Sequence, residues 1–290
     1  MTTQTLPTAH RPAAGTHGVN FGGVLKSEII KFWSLLSTKL LLIVSLVVIV
    51  GIGAFEAFGI GFATERAHTD AAAGNGPPGA AAQLSSFDFS SIPYGGIQLG
   101  MLILGALAVL FIASEYSTGM IRSSFSAVPS RLPVFGAKAL VLIVVSYVLT
   151  TVGAFVTFLV AKPILGNYNI DFAIDQKGML SGIFLCGLAV AGVTLMGLSL
   201  GVLLRNSAGG IVILAGALFV LPIAGNFLPL IPIDFFKYLP QYFPSEVAIR
   251  MLSTEHIDGQ LDPWAAGLVF VGWVLVLLVP ALVALKKRDA

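Results

Sequence analysis

The sequence predicts an all-α integral membrane protein with six transmembrane helices, and three observations support this. Apolar residues make up 56% of the 290 and charged residues only 10%, whereas a soluble domain carries about 25% charged residues. Six windows are apolar over the roughly 20 residues that a helix needs to cross about 30 Å of hydrocarbon. Prolines flank several of these windows, at positions where proline ends or begins a helix.

The chain begins with two segments that precede the first span. Residues 1–20 are rich in Thr, Ala, Gly and Pro and lack the apolar region of a secretory signal, so they are expected to form a disordered tail. Residues 21–37 (FGGVLKSEIIKFWSLLS) are expected to form an amphipathic helix that lies in the membrane surface. Its predicted apolar stripe consists of Phe21, Leu25, Ile29, Phe32 and Leu36.

A six-span domain is expected over residues 38–290. The predicted spans are 40–62, 94–114, 135–159, 178–204, 209–230 and 264–285. Residues 63–93 contain a Gly/Ala/Pro tract and are expected to be a flexible connector. Residues 231–262 are rich in aromatic residues, which favours either short helices that dip back toward the bilayer or an aromatic belt at the interface.

Small residues within the spans predict close helix contacts. Gly96 and Gly100 form one G-x-x-x-G pair and Gly197 and Gly201 form another. The single cysteine, Cys186, lies in an apolar run and is expected to be a small buried side chain.

The distribution of Lys and Arg predicts the orientation, because basic residues accumulate in cytoplasmic loops. Both termini are therefore expected to be cytoplasmic. One side has eleven of these residues: Arg11, Lys26, Lys31, Lys39, Arg122, Arg131, Lys138, Arg205, Lys286, Lys287 and Arg288. The other side has five: Arg66, Lys162, Lys177, Lys237 and Arg250.

A polar insert, EYSTGMIRSSFSAVPSR, occupies residues 115–131 between the second and third spans. Ile121, Phe125 and Val128 recur at helical spacing, which predicts a cytoplasmic helix of about three turns. The insert is longer than a usual interhelical loop of about 2–8 residues. It could therefore be a docking surface, or a helix that merely lies against lipid headgroups.

The insert resembles the loop between spans two and three in permeases of ABC exporters of the second class (ABC-2-type). The matching residues are Glu115, Gly119, Arg122, Ser130, Arg131 and Lys138. The six-span plan, the amphipathic N-terminal helix and the long last outward loop are also similar to that family.

The resemblance implies a coupling helix in the insert, which docks into a separate ATP-binding subunit, and a connecting helix before the first span. The implied docking residues are Glu115, Gly119, Ile121, Arg122, Phe125 and Arg131. The implied connecting-helix residues are Lys26, Glu28, Phe32 and Trp33. Further implied partners are a second permease copy or a related permease, and membrane lipid, in a bacterial cytoplasmic membrane.

No ATP site of its own is expected, because the chain lacks the G-x-x-x-x-G-K-[ST] phosphate loop. The chain is therefore not predicted to be an enzyme or to hold a cofactor, and ATP and Mg would be bound by the partner ATPase. All four histidines lie outside the predicted spans, which argues against a membrane-embedded metal or Ser–His site. The net charge of +2 is too small to indicate a nucleic-acid partner.

Glu56 is a carboxylate within the first predicted span, and such residues are costly and usually functional. It could line a translocation path, or it could reach the outer interface if the span is shorter. The leading functional hypothesis is an ATP-driven exporter permease for an amphipathic or lipid-like substrate. The alternatives are a proton-coupled secondary carrier that uses Glu56 and a non-transporting membrane scaffold or sensor subunit.

Overall fold

The protein is a multi-pass helical membrane protein. A computed structural model describes residues 20–75, 88–120, 131–254 and 256–287. Within these residues the chain is all-helical without strands, and six helical segments are long and apolar enough to cross a membrane. The predicted all-α class is thereby confirmed, and the number of candidate spans equals the predicted six. The tail, residues 1–19, lies outside the described residues.

Ten α-helices make up the described structure. Their bounds are α1 Phe21–Ser34, α2 Leu36–Ala72, α3 Ile97–Ser117, α4 Arg131–Gly166, α5 Met179–Leu204, α6 Ser207–Ala215, α7 Leu221–Gly225, α8 Asp234–Tyr238, α9 Pro244–Arg250 and α10 Pro263–Lys287. Short 3-10 helices cover Phe89–Tyr94, Leu228–Leu230 and Leu239–Tyr242, and a π-helical turn covers Gly216–Val220.

α5 is the central helix and packs against α3, α4 and α10. The approach to α3 is close because glycines lie at the contact: a Cβ atom added at Gly197 would lie 2.3 Å from the carbonyl oxygen of Gly105. A Cβ atom at Gly96 would lie 2.6 Å from the carbonyl oxygen of Ile49 in α2. Both glycine pairs therefore allow neighbouring helices to pack closely, as predicted. Cys186 is buried in α5, also as predicted.

Two of the helices are longer than their apolar windows. α2 has 37 residues and runs ten residues beyond the predicted end at position 62, so it is about 55 Å long and exceeds the membrane thickness. α4 similarly covers 131–166 rather than 135–159. Hydropathy marks only the apolar part of a helix and stops at the first charged residues, whereas the helix itself can continue beyond the hydrocarbon. The connector prediction for 63–93 is therefore wrong for its first ten residues, and residues 76–87 lie outside the described residues.

The fifth span is broken near its middle. Pro222 has no backbone N–H, so the carbonyl of Leu218 lacks the donor that a regular helix would supply. The chain forms a π-helical turn there, and the side-chain amide of Gln98 in α3 donates a hydrogen bond of 3.2 Å to the Leu218 carbonyl oxygen. A side chain of a neighbouring helix thus compensates for the proline.

Short helices occupy the region between the fifth and sixth spans, and the depth of this segment in the bilayer stays a prediction. Phe243 packs on the end of the fifth span, where a Cβ atom on Gly225 would lie 2.7 Å from its ring. Trp273 of α10 donates a hydrogen bond of 2.8 Å to the carbonyl oxygen of Tyr242. These contacts attach the segment to both flanking spans.

Candidate functional site

Four charged side chains meet where α1, the end of α3 and the start of α4 come together. Glu28 and Lys31 belong to α1, Glu115 to the last turn of α3, and Lys138 to the first turns of α4. We call this group the ion cluster. The end of the bundle that holds it also carries Lys39, Arg131, Arg205, Lys286 and Lys287, and we call it the basic end.

Each cation of the ion cluster contacts both carboxylates. The Lys138 Nζ atom lies 2.5 Å from Glu28 Oε2 and 2.7 Å from Glu115 Oε1. The Lys31 Nζ atom lies 2.8 Å from Glu28 Oε1 and 3.3 Å from Glu115 Oε1. The four formal charges sum to zero, so the cluster is electrically balanced. Three separate helices are joined by one network of ion pairs.

The ion cluster is shielded from solvent. Lys138 is 0% exposed and Glu28 is 1% exposed, and the Lys138 ammonium lies 4.2 Å from the centroid of the Phe111 ring in a cation–π contact. Phe32 packs edge-on against Phe111 with 5.4 Å between the ring centroids. Burial strengthens each ion pair, but it also means that loss of one partner leaves an uncompensated charge.

Lys31 and Glu115 are the two members of the cluster that lie nearer the surface of the protein. Burial by itself would lower the pKa of Lys31, but its hydrogen bond with Glu28 and its attraction to Glu115 outweigh that effect and raise the pKa. Lys31 therefore stays charged. The second carboxylate oxygen of Glu115, Oε2, is buried without a hydrogen-bond partner in the part of the chain that the structure describes.

α3 ends directly beside the cluster, which corrects the predicted start of the insert. Glu115 belongs to the span helix, which ends at Ser117 rather than at 114. Gly119 has a φ of +71°, a conformation that favours glycine after a helix C-terminus. Because Glu115 is buried, its side chain forms part of the bundle in this conformation and not of an exposed docking face. Ile121, Arg122 and Phe125 lie outside the described residues.

Two arginines connect further helices to the basic end. Arg131 donates a hydrogen bond of 3.2 Å to the carbonyl oxygen of Leu285 in the last turns of α10, where a cation also suits the helix dipole. The Arg205 guanidinium, which follows α5, lies 5.1 Å from the centroid of the Tyr116 ring in α3. The ends of α3, α5 and α10 and the start of α4 are therefore linked around the cluster.

The face that α1 packs against the bundle coincides with the predicted apolar stripe only at Phe32. Val24, Glu28 and Phe32 are buried, whereas Phe21 and Ile29 are among the exposed apolar residues. The ion pairs with Lys31 and Lys138 hold Glu28 on the buried face, and the exposed apolar side chains suit a helix that lies in the membrane surface. Of the other connecting-helix residues, Lys26 and Trp33 are exposed.

The predicted apolar stripe does not include Lys31, and Lys138 is predicted only as a residue of the family-like motif. The sequence does contain an indication of the ion pair between Glu28 and Lys31, because these residues are three apart on one helix. A lysine at the start of an apolar span also requires a partner.

Glu56 lies apart from the ion cluster. Its carboxylate packs against the backbone of Gly95 at the start of the second span, so closely that a side chain at position 95 would displace it. Glu56 is half-buried. It lies 16 residues beyond Leu40, about 24 Å along α2 and therefore toward the end opposite the basic end.

Comparison with protein-family models and with curated proteins gives no match for this chain. Within the described residues, no group of three or more His, Cys, Asp or Glu side chains is placed to hold a metal ion.

Proposed function

We propose that this chain is the membrane-spanning subunit of an ATP-driven exporter of the ABC-2 type, energised by a separate ATP-binding subunit. One observation supports this most strongly. Two residues of the family-like motif, Glu115 and Lys138, form a buried ion cluster with α1 directly beside the start of the polar insert. In this proposal the basic end faces the cytoplasm, in accordance with the excess of Lys and Arg there.

The ion cluster would transmit movement from the insert to the bundle. The insert leaves α3 after Gly119 and rejoins the described chain at Arg131, so a push on it acts on α3 and α4 together. α1 would follow because Glu28 and Lys31 attach it to both helices. Leu35 has an extended backbone conformation between α1 and α2, which allows α1 to change its angle to the first span.

The substrate would be amphipathic or lipid-like, because the spans offer Phe, Val, Leu and Ala and few charges. The fifth span is the least covered of the six within one chain. A second copy, or a related permease, would supply the facing half of a central path. Within this scheme Glu115 positions the insert through Lys138 and does not itself touch the ATP-binding subunit.

The proposal is tested by reconstitution with the ATP-binding subunits encoded near this chain. We expect one of them to copurify with the chain and to hydrolyse ATP faster in its presence. Arg122→Glu should remove this stimulation while the chain still inserts and folds. Lys39→Glu, an exposed cation at the same end but outside the insert, serves as the matched control. If no such subunit binds, or if Arg122→Glu has no effect, the proposal is wrong.

Two alternatives predict different results in the same vesicles. A proton-coupled carrier would move substrate with a proton gradient and without ATP, and Glu56→Gln would abolish the movement. A scaffold or sensor subunit would bind the ATP-binding subunit but move no substrate.

A further inference from the structure

Glu56 is the only acidic residue in the apolar part of α2. The nearest charged residues along the helix are Lys39 and Glu65, which lie about 26 Å and about 14 Å away from it along the helix axis. Within the part of the chain that the structure describes, the Glu56 carboxylate forms no hydrogen bond and no ion pair. A carboxylate in an apolar span is costly and is usually retained for a function.

A structural role as the cap of the neighbouring helix does not account for Glu56. Its carboxylate packs against Gly95, directly before the start of α3, where the helix dipole favours a negative charge. However, no side chain forms a cap hydrogen bond at Gly96, the residue that precedes the first turn of α3. The carboxylate therefore keeps its capacity to accept hydrogen bonds.

Gln98 provides a second acceptor at the same place. Its side-chain amide nitrogen donates the hydrogen bond of 3.2 Å to the carbonyl oxygen of Leu218, so the amide oxygen is left to accept from another donor. In the described residues this oxygen has no partner. Gln98 follows Gly95 by three residues, about one helical turn, and the two residues therefore lie on the same side of the helix.

This side of α3 opens outward from the bundle. α2 and the fifth span both pack on α3, and Glu56 and Gln98 are half-buried between exposed apolar neighbours. Leu99 is 38% exposed and Phe55 is 76% exposed. Gly95 and Gln98 both belong to the second candidate span. The two acceptors therefore face either hydrocarbon or a path between two copies of the chain.

The chemistry of the two acceptors selects a ligand that donates hydrogen bonds and carries a positive charge. Among the described residues, no Lys, Arg or His side chain contacts Glu56. A primary ammonium group has three N–H donors, enough to reach both the carboxylate and the amide oxygen. Hydrogen bonds between charged groups are also stronger than those between neutral groups. The apolar neighbours suit a ligand with an apolar body.

We propose that Glu56 and Gln98 bind the ammonium group of a lipophilic amine. This inference rests on the proposed exporter function, and it gives the amphipathic or lipid-like substrate a specific chemistry. Two sources provide such a group: a single-chain amine, and the headgroup of phosphatidylethanolamine.

The experiment measures binding of radiolabelled dodecylamine to the purified full chain in nanodiscs of phosphatidylcholine, with empty nanodiscs subtracted. No ATP, proton gradient or ATP-binding subunit is present. Unlabelled dodecanol, which has the same chain without the charge, serves as the competitor control. A second series adds phosphatidylethanolamine to the nanodiscs. Displacement of dodecylamine there assigns the site to the lipid headgroup, and its absence assigns the site to a single-chain amine.

Two variants alter the carboxylate, and each has a matched control. Glu56→Gln removes the charge, and Glu65→Gln removes an exposed charge on the same helix. Gly95→Ala keeps the charge but displaces the carboxylate, whereas Gly59→Ala adds a Cβ atom to α2 with nothing within 4 Å. We expect saturable binding in the wild type and both controls, and about tenfold weaker binding in Glu56→Gln and Gly95→Ala, which corresponds to about 1.4 kcal/mol.

Gln98→Lys tests the second acceptor. The lysine can still donate to the Leu218 carbonyl oxygen, but its own ammonium group would pair with Glu56 and should prevent binding of the amine. Wild-type binding in this variant, equal affinity of Glu56→Gln and the wild type, or full competition by dodecanol would overturn the proposal. Saturable binding without any association of an ATP-binding subunit would instead overturn the exporter function and leave the amine site standing.

Discussion

Replacing Lys138 with methionine should destabilise the protein strongly. Lys138 is 0% exposed and contacts Glu28 at 2.5 Å and Glu115 at 2.7 Å. Methionine keeps most of the side-chain volume, so the main change is that two buried carboxylates share the single remaining cation, Lys31. Removing one partner of a buried ion pair costs about 3–5 kcal/mol. At about 2–4 °C per kcal/mol, the melting temperature should fall by about 10 °C.

The protein contains its own reporter for this measurement. Cys186 is the only cysteine and is buried in α5, so a fluorogenic thiol reagent reacts with it only after unfolding. Lys26→Met is the matched control, because Lys26 is exposed on α1. That substitution should change the free energy of unfolding by no more than about 0.5 kcal/mol.

A double variant separates the ion pair from a general packing defect. Glu28→Gln in addition to Lys138→Met removes one carboxylate and leaves Lys31 with Glu115, so the local charge is balanced again. The two effects should therefore be less than additive by about 1–3 kcal/mol. A Lys138→Met variant that melts within about 1 °C of the wild type, or strict additivity in the double variant, would refute the energetic role of the cluster.

Three further substitutions test other parts of the structure. Gly197→Ala should lower the free energy of unfolding by about 1–3 kcal/mol, because its Cβ atom would lie 2.3 Å from the Gly105 carbonyl oxygen. The control Gly59→Ala, in open space on α2, should be neutral or stabilising. If the Gly197→Ala variant melts at the same temperature as the wild type, the close contact is contradicted. Gln98→Leu should cost about 1–3 kcal/mol by leaving the Leu218 carbonyl without its donor, and an unchanged melting temperature would show that the bond is dispensable. The pKa of Lys31 is raised from its ordinary value of 10.5, so its stabilising effect is present below that value and is lost as pH rises through the higher pKa of the folded protein. The difference in melting temperature between the wild type and Lys31→Met should accordingly be constant near about pH 8 and shrink as the pH rises above 10.5. A pH-independent difference would contradict this assignment.

The number and order of the spans could be predicted because lipid imposes a simple requirement. A segment within hydrocarbon must be apolar and must satisfy its own backbone groups, so composition alone locates the helices. The extension of α2 to Ala72 could not be predicted in this way, since the hydropathy signal disappears at Glu65 while the helix continues. The π-helical turn also escaped prediction, because it depends on the meeting of Pro222 with Gln98 from a distant part of the chain.

The candidate site could be predicted only in part, because its residues meet through contacts between distant parts of the chain. The local motif indicated Glu115 and Lys138, and the amphipathic pattern indicated α1. The pairing of these elements is a tertiary feature: Lys138 lies 110 residues from Glu28 in sequence. The apolar periodicity of α1 does not include Lys31, whereas the structure places this lysine against two carboxylates.

The orientation of the basic end tests the proposed function most directly, and cysteine labelling in intact cells measures it. Cys186 would be replaced by alanine, and single cysteines introduced at Thr118, which is exposed at the basic end, or at Thr69, which is exposed at the opposite end. We expect a membrane-impermeant maleimide to label the cysteine at position 69 in intact cells and the one at position 118 only after permeabilisation. Labelling of position 118 from outside would place the insert beyond the reach of any cytoplasmic ATPase and would contradict the exporter function.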